Sequence, residues 1–380
     1  MAKGEFCLIG LDIGTTGIRA VELRRSRSTA DLEIVRMACA ELPPGVMSDG
    51  AVIDQPALAK AIRALWRQGR FRTRRLAFAV TDPNVLTRQL DLAWMPPDDF
   101  KAALRYQVQG SLPFDFDSVA LDYHLLAEIE RTDTKGQATT DNRVLVVATN
   151  REHTAAIASA IRKAGLEPVV ADHAPFALIR SVCQGHLPND ASVHAVVDIG
   201  ADQMTVVIHS EGQPRFIRTL SQLGSNLATR SIASALDIDS DEAEALKRST
   251  GLNGAAPTVV SIAESSVFST IVDSQAAEID QRSLVALSEL NTWAATIVGE
   301  IANSIDYYAS GIGVAPVESV LLVGRAANLD GLRERIATQL PYPVQSADAT
   351  MGLSVNPKLR EYAQDAQAAL AIGLAMAVKT

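Results

Sequence analysis

The chain has little cysteine. Cys7, Cys39 and Cys183 are scattered over 380 residues and are odd in number. A disulfide framework or a structural zinc site needs cysteines in pairs or at short fixed spacings. The sequence therefore argues against a disulfide-stabilised secreted domain and against a zinc finger, and it favours a reducing cytosol.

Long apolar runs are also missing. The N-terminus, MAKGEFCLIG, leads directly into a strand pattern without a secretory apolar region. The longest apolar stretch near the other end, AALAIGLAMAV at 368–378, is too short and too rich in alanine to span a bilayer, and it predicts a buried helix. We therefore expect a cytoplasmic protein with no direct membrane insertion, in which any membrane contact comes through a partner.

Positive charge is in deficit. The chain has 35 Lys and Arg against 44 Asp and Glu, a net charge of -9. A general nucleic-acid binder needs clustered cations for its phosphate contacts, so we expect no nucleic-acid partner. One local basic run, from Arg67 to Arg75, is interpreted as a solvated helix end and turn.

What the sequence does contain is an internal repeat. The segments IGLDIGTTG (9–17) and AVVDIGADQ (195–203) both run apolar residues into Asp-Ile-Gly. Asp12 and Asp198 hold the same place in the two copies, 186 residues apart (198 − 12). This pattern predicts a strand, a tight turn and a second strand at the start of each of two similar halves. A cleft between two such halves is a preferred place for a ligand.

The turns have the chemistry of a phosphate site. Gly14 lets backbone N–H groups approach an anion, and Thr15 and Thr16 add hydroxyl donors. Asp12 and Asp198 would face the same cleft from opposite walls. Two carboxylates can hold a hydrated Mg²⁺ whose other ligands are phosphate oxygens.

A second pattern lies between the two copies. Residues 84–172 read as strand, helix, strand, strand, helix, strand, the split βαβ order, which predicts a small inserted subdomain. A long helix is predicted over 284–310, whereas residues 253–283 show no strong period.

Together with LLVGRAANLDGL (321–332), the two turns resemble the two phosphate motifs and the adenosine motif of the actin, Hsp70 and sugar-kinase superfamily. Further segments resemble the PilM family of actin-like type IV pilus assembly proteins, which is related to the cell-division protein FtsA. The segments that carry this resemblance are LDIGTTGIRAVEL, LPPGVMSDGAVID, LPFDFDSVALDYHLL, GLEPVVADHAPFALIR and SIDYYASG. The resemblance runs from about residue 9 to residue 377.

The resemblance implies an α/β, actin-like fold of two lobes with an inserted split βαβ subdomain. The implied divisions are 1–83 as subdomain 1A, with 173–191 and 350–380 returning to it, 84–172 as the insert 1C, and 192–349 as the second lobe with subdomains 2A and 2B.

The resemblance also implies ligands and partners. These are ATP with Mg²⁺ in the cleft, and the cytoplasmic N-terminal tail of the inner-membrane protein PilN in a groove between the first subdomain and the insert. PilO would be reached indirectly, together with the pilus motor proteins. Leu112, Pro113 and Phe114 are candidates for lining the groove.

The turns and the resemblance together predict one set of nucleotide-binding residues, with Asp12 and Asp198 as the metal ligands. The set is Asp12, Gly14, Thr15, Thr16, Gly17, Arg19, Asp198, Gly200, Ala201, Asp202, Gly224, Glu244, Lys247, Gly324, Arg325 and Ala326.

The chain departs from the family pattern at several of these positions. Arg19 stands where the family usually has Lys, and a planar guanidinium does not replace an ammonium simply. Asp202 stands in the second turn where small hydroxyl residues are usual, and Arg325 follows Gly324 where further glycines are usual. Gln107 stands where an acidic residue is common. Either Asp202 points away and the cleft holds Mg-nucleotide, or the second turn has lost its phosphate and persists as structure.

Three functions stay open on the sequence. The first is a pilus scaffold that binds the PilN tail and uses Mg-ATP as a conformational ligand, and the second is the same scaffold with a degenerate site that binds no ATP. The third is a small-molecule kinase of the same superfamily. The six histidines fall outside the two turns, so no catalytic residue is predicted, and the chain is at most a weak ATPase.

Overall fold

The structure is a computed structural model. It describes residues 5–25, 31–80, 82, 85–108, 118–132, 138–183, 192–253, 281–311, 314–360 and 365–377, with residues 5–7 as backbone only. The groove candidates Leu112, Pro113 and Phe114 lie outside the described residues, as do residues 254–280.

The described strands follow the chain in this order: β1 Glu5–Ile13, β2 Gly17–Arg25, β3 Leu32–Glu41, β4 Met47–Ser48, β5 Ala51–Val52, β6 Arg75–Val80, β7 Leu86–Ala93, β8 Val119–Thr132, β9 Ala138–Asn150, β10 Glu167–His173, β11 Val193–Ile199, β12 Gln203–Ser210, β13 Gln213–Ser221, β14 Val317–Val323, β15 Val344–Ser346 and β16 Ser354–Val355.

The described α-helices are α1 Gln55–Gln68, α2 Pro97–Gln107, α3 Arg151–Lys163, α4 Ala174–Cys183, α5 Ser225–Leu236, α6 Ser240–Thr250, α7 Gln281–Ala309, α8 Leu332–Gln339 and α9 Ala369–Ala375. Short 3₁₀ turns cover Arg325–Asn328, Pro357–Leu359 and Ala366–Ala368. No described helix combines the length and apolar character needed to cross a bilayer.

The internal repeat is confirmed in the sheets. The first sheet has the strand order β10-β6-β1-β2-β3-β16 and the second has β13-β12-β11-β14-β15. In the first sheet β1, β2 and β3 are antiparallel, and β6 pairs in parallel with β1. In the second sheet β11, β12 and β13 are antiparallel, and β14 pairs in parallel with β11. The register repeats as well, because Asp12 lies opposite Arg19 and Asp198 lies opposite Thr205. The two aspartates therefore lie at equivalent positions, each one residue before the end of its strand.

The core has three layers. Helices α1 and α3 cover the outer face of the first sheet, and α5, α6 and α7 pack together against the outer face of the second. Helices α4 and α9 lie between the two sheets. This middle layer takes side chains from both lobes, among them Val21, Leu23, Leu178, Val196, Val207 and Ile372. The lobes are therefore joined by a shared apolar layer at the base of the cleft.

The insert is smaller than predicted. Strands β7, β9 and β8 form their own antiparallel sheet, covered by α2 through Phe100 and Leu104. The predicted element order is present, but β10 pairs in parallel with β6, and α3 buries Ile157 and Ile161 in the core of the first lobe. The split βαβ prediction for 84–172 is corrected accordingly, because its last helix and strand belong to the first sheet.

The end of the chain returns to the first lobe. Strand β16 pairs with β3, and α9 packs on β1. The buried helix predicted at 368–378 is present as α9, although residue 378 lies outside the described residues. Apart from the contents of the insert, the predicted division of the chain stays a prediction.

Candidate functional site

The cleft lies where the two hairpin turns face each other. Gly14 donates its backbone N–H to the Gly17 carbonyl at 2.9 Å, and Gly200 donates to the Gln203 carbonyl at the same distance. The glycines thus close two equivalent turns, one at the tip of each lobe. The turns bring side chains from residues 12–19 and 198–205 to one space.

The two aspartates lie at the base of this space. Asp12 is 8% exposed, and its carboxylate lies 3.6 Å from the Arg19 guanidinium. Burial raises the pKa of Asp12, and Arg19 offsets part of that rise. Loss of solvent also raises the pKa of Asp198 to about 7, with a further contribution from the negative charge of Asp12. The pair therefore holds less negative charge near neutral pH than two free carboxylates would.

Asp202 points into the cleft. Its Oδ2 accepts a hydrogen bond from the Thr15 hydroxyl at 2.6 Å, and its Oδ1 accepts one from the Asn226 amide at 2.8 Å. The expectation that Asp202 points away is therefore wrong, whereas binding of Mg-nucleotide in the cleft stays a prediction. The carboxylate instead joins the second turn to the first.

Arg325 also crosses the cleft. One guanidinium nitrogen donates to the Thr16 hydroxyl at 2.9 Å and the other to Glu244 Oε1 at 2.9 Å. Both threonines of the first turn are therefore bonded to side chains of the second lobe. Arg19 reaches in the other direction and donates to the Gln367 side chain.

Glu244 anchors a buried charge cluster. Burial alone would raise the pKa of Glu244, but hydrogen bonds from Lys247, Thr229 and Arg325 outweigh it and lower the pKa to about 2. Lys247 is 2% exposed and donates to the Thr229 hydroxyl and the Ser225 carbonyl. Burial lowers the pKa of Lys247, and Glu244 opposes that change.

Two glycines of the predicted set hold the turns rather than a ligand. Gly324 has φ of 88°, and a Cβ there would lie 2.1 Å from Asp198 Oδ1. A Cβ on Gly224 would lie 2.2 Å from the Ala201 carbonyl oxygen. The first N–H groups of α5, on Ser225 and Asn226, donate to the carbonyls of the second turn. Any side chain at these glycines would push the turn out of place.

The structure gathers the predicted residues around two connected spaces. A space of about 140 Å³ lies between the turns, and one of about 520 Å³ lies beside it. Thr16, Gly17, Arg19 and Arg325 border both. The smaller space is also lined by Asp12, Gly14, Thr15, Asp198, Gly200, Ala201, Asp202 and Gly324, and the larger by Glu244, Lys247 and Ala326. Gly224 lies behind Ala201. Their role in binding stays a prediction.

Sequence reasoning missed Asn226, Thr229 and Gln367. Asn226 lies two residues after Gly224, a member of the predicted set, and this nearness is one signal that could have found it. Gln367 could not have been found in the same way, because its partner Arg19 is 348 residues away.

The larger space fits a nucleoside, since ligand cavities of about 300–1,000 Å³ are common. Asp12 and Asp198 could serve Mg²⁺, which takes one or two carboxylates and keeps several waters. Among the described residues no cluster of three or more His, Cys, Asp or Glu is arranged around a metal position. The phosphate end does not fit a triphosphate as it stands, because the Asp202 carboxylate lies between the turns and already accepts the hydrogen bond of the Thr15 hydroxyl.

Two matching sheets with a shared middle layer and a cleft between their hairpin turns define the actin-like fold. The sequence profile of the family described as Type IV pilus assembly protein PilM matches residues 10–260, and the chain belongs to that family. The profile of Cell division protein FtsA matches residues 195–373, in agreement with the expected relation.

Solved structures show the same fold. A protein of the "PilM-PilN type IV pilus biogenesis complex" is 24% identical, with 97% of each chain covered and a TM-score of 0.78. The ethanolamine utilization protein EutJ from Carboxydothermus hydrogenoformans is 16% identical, with 98% of this chain and 90% of that chain covered and a TM-score of 0.51. MreB5 of Spiroplasma citri bound to AMPPNP is 11% identical, with 96% and 94% covered and a TM-score of 0.50. The expected family and fold are confirmed.

Proposed function

We propose that this chain is an actin-like scaffold of the type IV pilus machine that binds the cytoplasmic N-terminal tail of a PilN-like inner-membrane protein. The observation that carries the proposal is the family match over residues 10–260, which includes most of the first sheet, the insert and the start of the second lobe. The chain would then work in the cytoplasm at the inner membrane, and would reach PilO and the pilus motor proteins through this partner.

The insert offers a surface for such a tail. Tyr106, on the last turn of α2, is 78% exposed, and Trp94, between β7 and α2, is 48% exposed. Two large exposed aromatic side chains on one small subdomain are a typical feature of protein interfaces. Tyr106 also precedes the segment with Leu112, Pro113 and Phe114, the predicted groove residues. An extended tail could bind here through aromatic contacts and backbone hydrogen bonds.

The test is calorimetric titration of a synthetic peptide with the cytoplasmic N-terminal residues of the PilN-like protein from the same organism. We expect binding by the wild type and at least a tenfold loss of affinity in Tyr106→Ala, because truncation of an interface aromatic commonly costs about 2 kcal/mol or more.

The matched control is Tyr307→Ala, on α7 of the second lobe, where the side chain is 72% exposed. This variant should bind the peptide as the wild type does. Absence of binding by the wild type would overturn the proposed function. Equal losses of peptide affinity in Tyr106→Ala and Tyr307→Ala would mean that the aromatic surface of the insert is not the specific binding site of the tail.

Mg-ATP as a conformational ligand belongs to the same proposal, on the condition that Asp202 gives up its hydrogen bond to Thr15 when a triphosphate binds. The space beside Glu244 and Lys247 is large enough for a nucleoside. The structure of MreB5, which shares the fold, is described with bound AMPPNP. The Asp202 carboxylate disfavours the terminal phosphate of ATP, because both groups are negatively charged. Tail binding as proposed does not require a nucleotide.

A further inference from the structure

Asp202 is placed where a phosphate group would be recognised. It is the counterpart of Thr16 in the internal repeat, since the two positions are 186 residues apart (202 − 16), as Asp12 and Asp198 are. A hydroxyl donor in one turn is thus replaced by a carboxylate in the other. This carboxylate accepts hydrogen bonds from Thr15 and Asn226, the kinds of donors that phosphate oxygens take.

The position also tells which end of a ligand Asp202 would meet. Glu244, Lys247 and Ala326 line only the larger space, whereas Asp202 lines only the smaller one. A nucleoside in the larger space would extend its phosphates past Thr16 and Arg325, which border both. The phosphate farthest from the nucleoside would therefore approach Asp202.

We propose that Asp202 is an intramolecular substitute for the terminal phosphate, which closes the cleft without a ligand and makes it select nucleoside diphosphates over triphosphates. A ligand with a shorter phosphate chain leaves the bond between Asp202 and Thr15 in place. A triphosphate must displace this bond and would set its third phosphate beside the Asp202 carboxylate, where the two negative charges repel each other. Selection by a repulsive group is an ordinary way to achieve specificity.

The arrangement of the remaining charges agrees with this assignment. Arg325 is already shared between Thr16 and Glu244, and Arg19 between Asp12 and Gln367. Neither guanidinium contacts Asp202 in the described part of the chain, and the side chains that donate to this carboxylate, Thr15 and Asn226, are both neutral. The inference goes beyond the proposed function and does not depend on tail binding.

The experiment compares ADP and ATP, each with Mg²⁺, in calorimetric titrations of the wild type and Asp202→Asn. Asparagine keeps the shape and can still accept the hydrogen bond from Thr15, while the Asn226 amide can turn so that its oxygen accepts from the new NH2 group. The main difference between the two proteins is then the charge. We expect the wild type to bind ADP at least tenfold more tightly than ATP. The variant should bind ATP at least tenfold more tightly than the wild type does, with affinity for ADP changed by less than threefold.

Two further variants sharpen the result. Asp306→Asn, an exposed carboxylate on α7, should leave both affinities unchanged. Thr15→Val removes the bond to Asp202 but leaves the charge, so it should improve ATP binding less than Asp202→Asn does. If Asp202→Asn does not give a folded protein by circular dichroism, Asp202→Ser takes its place.

Equal ATP affinity in the wild type and Asp202→Asn would overturn the inference, as would failure of both proteins to bind either nucleotide. The tail peptide is titrated into the same preparations. Loss of tail binding with the expected nucleotide change would reject the proposed function and leave the role of Asp202 standing.

Discussion

Glu244 and Lys247 show how single residues hold the second lobe beside the cleft. They lie three residues apart on α6, so their side chains share one face of the helix. Lys247 is almost completely buried, and a buried ammonium is stable only when it is paired and hydrogen-bonded. Glu244 supplies the charge, while Thr229 and the Ser225 carbonyl supply further acceptors. Removal of the carboxylate charge would leave Lys247 as an uncompensated buried cation.

We predict that Glu244→Gln lowers the free energy of unfolding by about 3 kcal/mol at pH 7, since each pKa unit corresponds to about 1.4 kcal/mol. The folded pKa of Glu244 is below the unfolded value of 4.5, so its contribution is complete above about pH 4.5 and is lost as pH falls toward 2. Urea unfolding at pH 7 and at pH 3 should therefore show a smaller difference between the two proteins at pH 3.

The control is Glu318→Gln, an exposed carboxylate on β14, which should change stability by no more than about 0.5 kcal/mol. An equally large loss from Glu244→Gln at both pH values would mean that the shape of the side chain, rather than its charge, is responsible.

The residues that line the cleft could be predicted from the sequence, but the hydrogen bonds between their side chains could not. Asp12, Thr15, Asp198 and Asp202 follow directly from the repeat of strand and turn, because the turn holds them at fixed positions. The direction of the Asp202 side chain depends on a one-residue register, which a short motif does not determine. The contact of Arg325 with Thr16 joins residues 309 apart, and no local pattern encodes such a distance.

Helices α4 and α9 pack in close contact. A Cβ on Gly373 of α9 would lie 1.8 Å from the Ala177 carbonyl oxygen of α4. Arg180 of α4 donates to the Gly373 carbonyl at 3.0 Å, which fixes the two helices further. Close packing of these two helices in the middle layer therefore depends on the absence of a side chain at Gly373. The helix pair cannot separate without moving away from the two sheets that it joins.

We predict opposite effects of the same substitution at two helical glycines. Gly373→Ala should lower the free energy of unfolding by about 2 kcal/mol or more, because α9 must move off α4. Gly299→Ala should raise it by about 1 kcal/mol, since Gly299 is exposed on α7 with open space around it and alanine is the better helix former. Thermal and urea unfolding of the two variants provide the measurement. A stabilising Gly373→Ala would contradict the close contact.

The elements themselves were largely predictable, but their partners were not. The apolar runs that end in Asp-Ile-Gly predicted the two hairpins, and the period of the apolar residues over 284–310 predicted α7. The same local pattern does not say which sheet a helix covers. Ile157 and Ile161 of α3 fit any apolar surface, and they pack on the first lobe because β10 pairs with β6. Helix α4 was missed as a separate element, since its apolar residues surround the helix and show no single face.

At the scale of the whole molecule, the shared middle layer decides how the lobes unfold. Leu178 of α4 lies in the same cluster as Val21 of the first sheet and Val196 of the second. The insert has a separate small core around Phe100 and Leu104. The two lobes should consequently lose their structure together, although proteins of several domains often unfold in steps. Trp66 in the first lobe and Trp293 in the second are buried reporters of the two outer layers.

We predict that proteins retaining only Trp66 or only Trp293, with the other tryptophans replaced by Phe, give coincident urea-unfolding midpoints by fluorescence. Leu178→Ala should lower both midpoints together, because loss of a buried leucine costs about 2–5 kcal/mol and the cavity lies in the layer that both lobes use. Leu104→Ala, equally conservative but in the core of the insert, should move both midpoints much less. A shift of only one reporter by Leu178→Ala would show that the lobes unfold independently, and that the cleft is held by its side-chain bonds rather than by a common core.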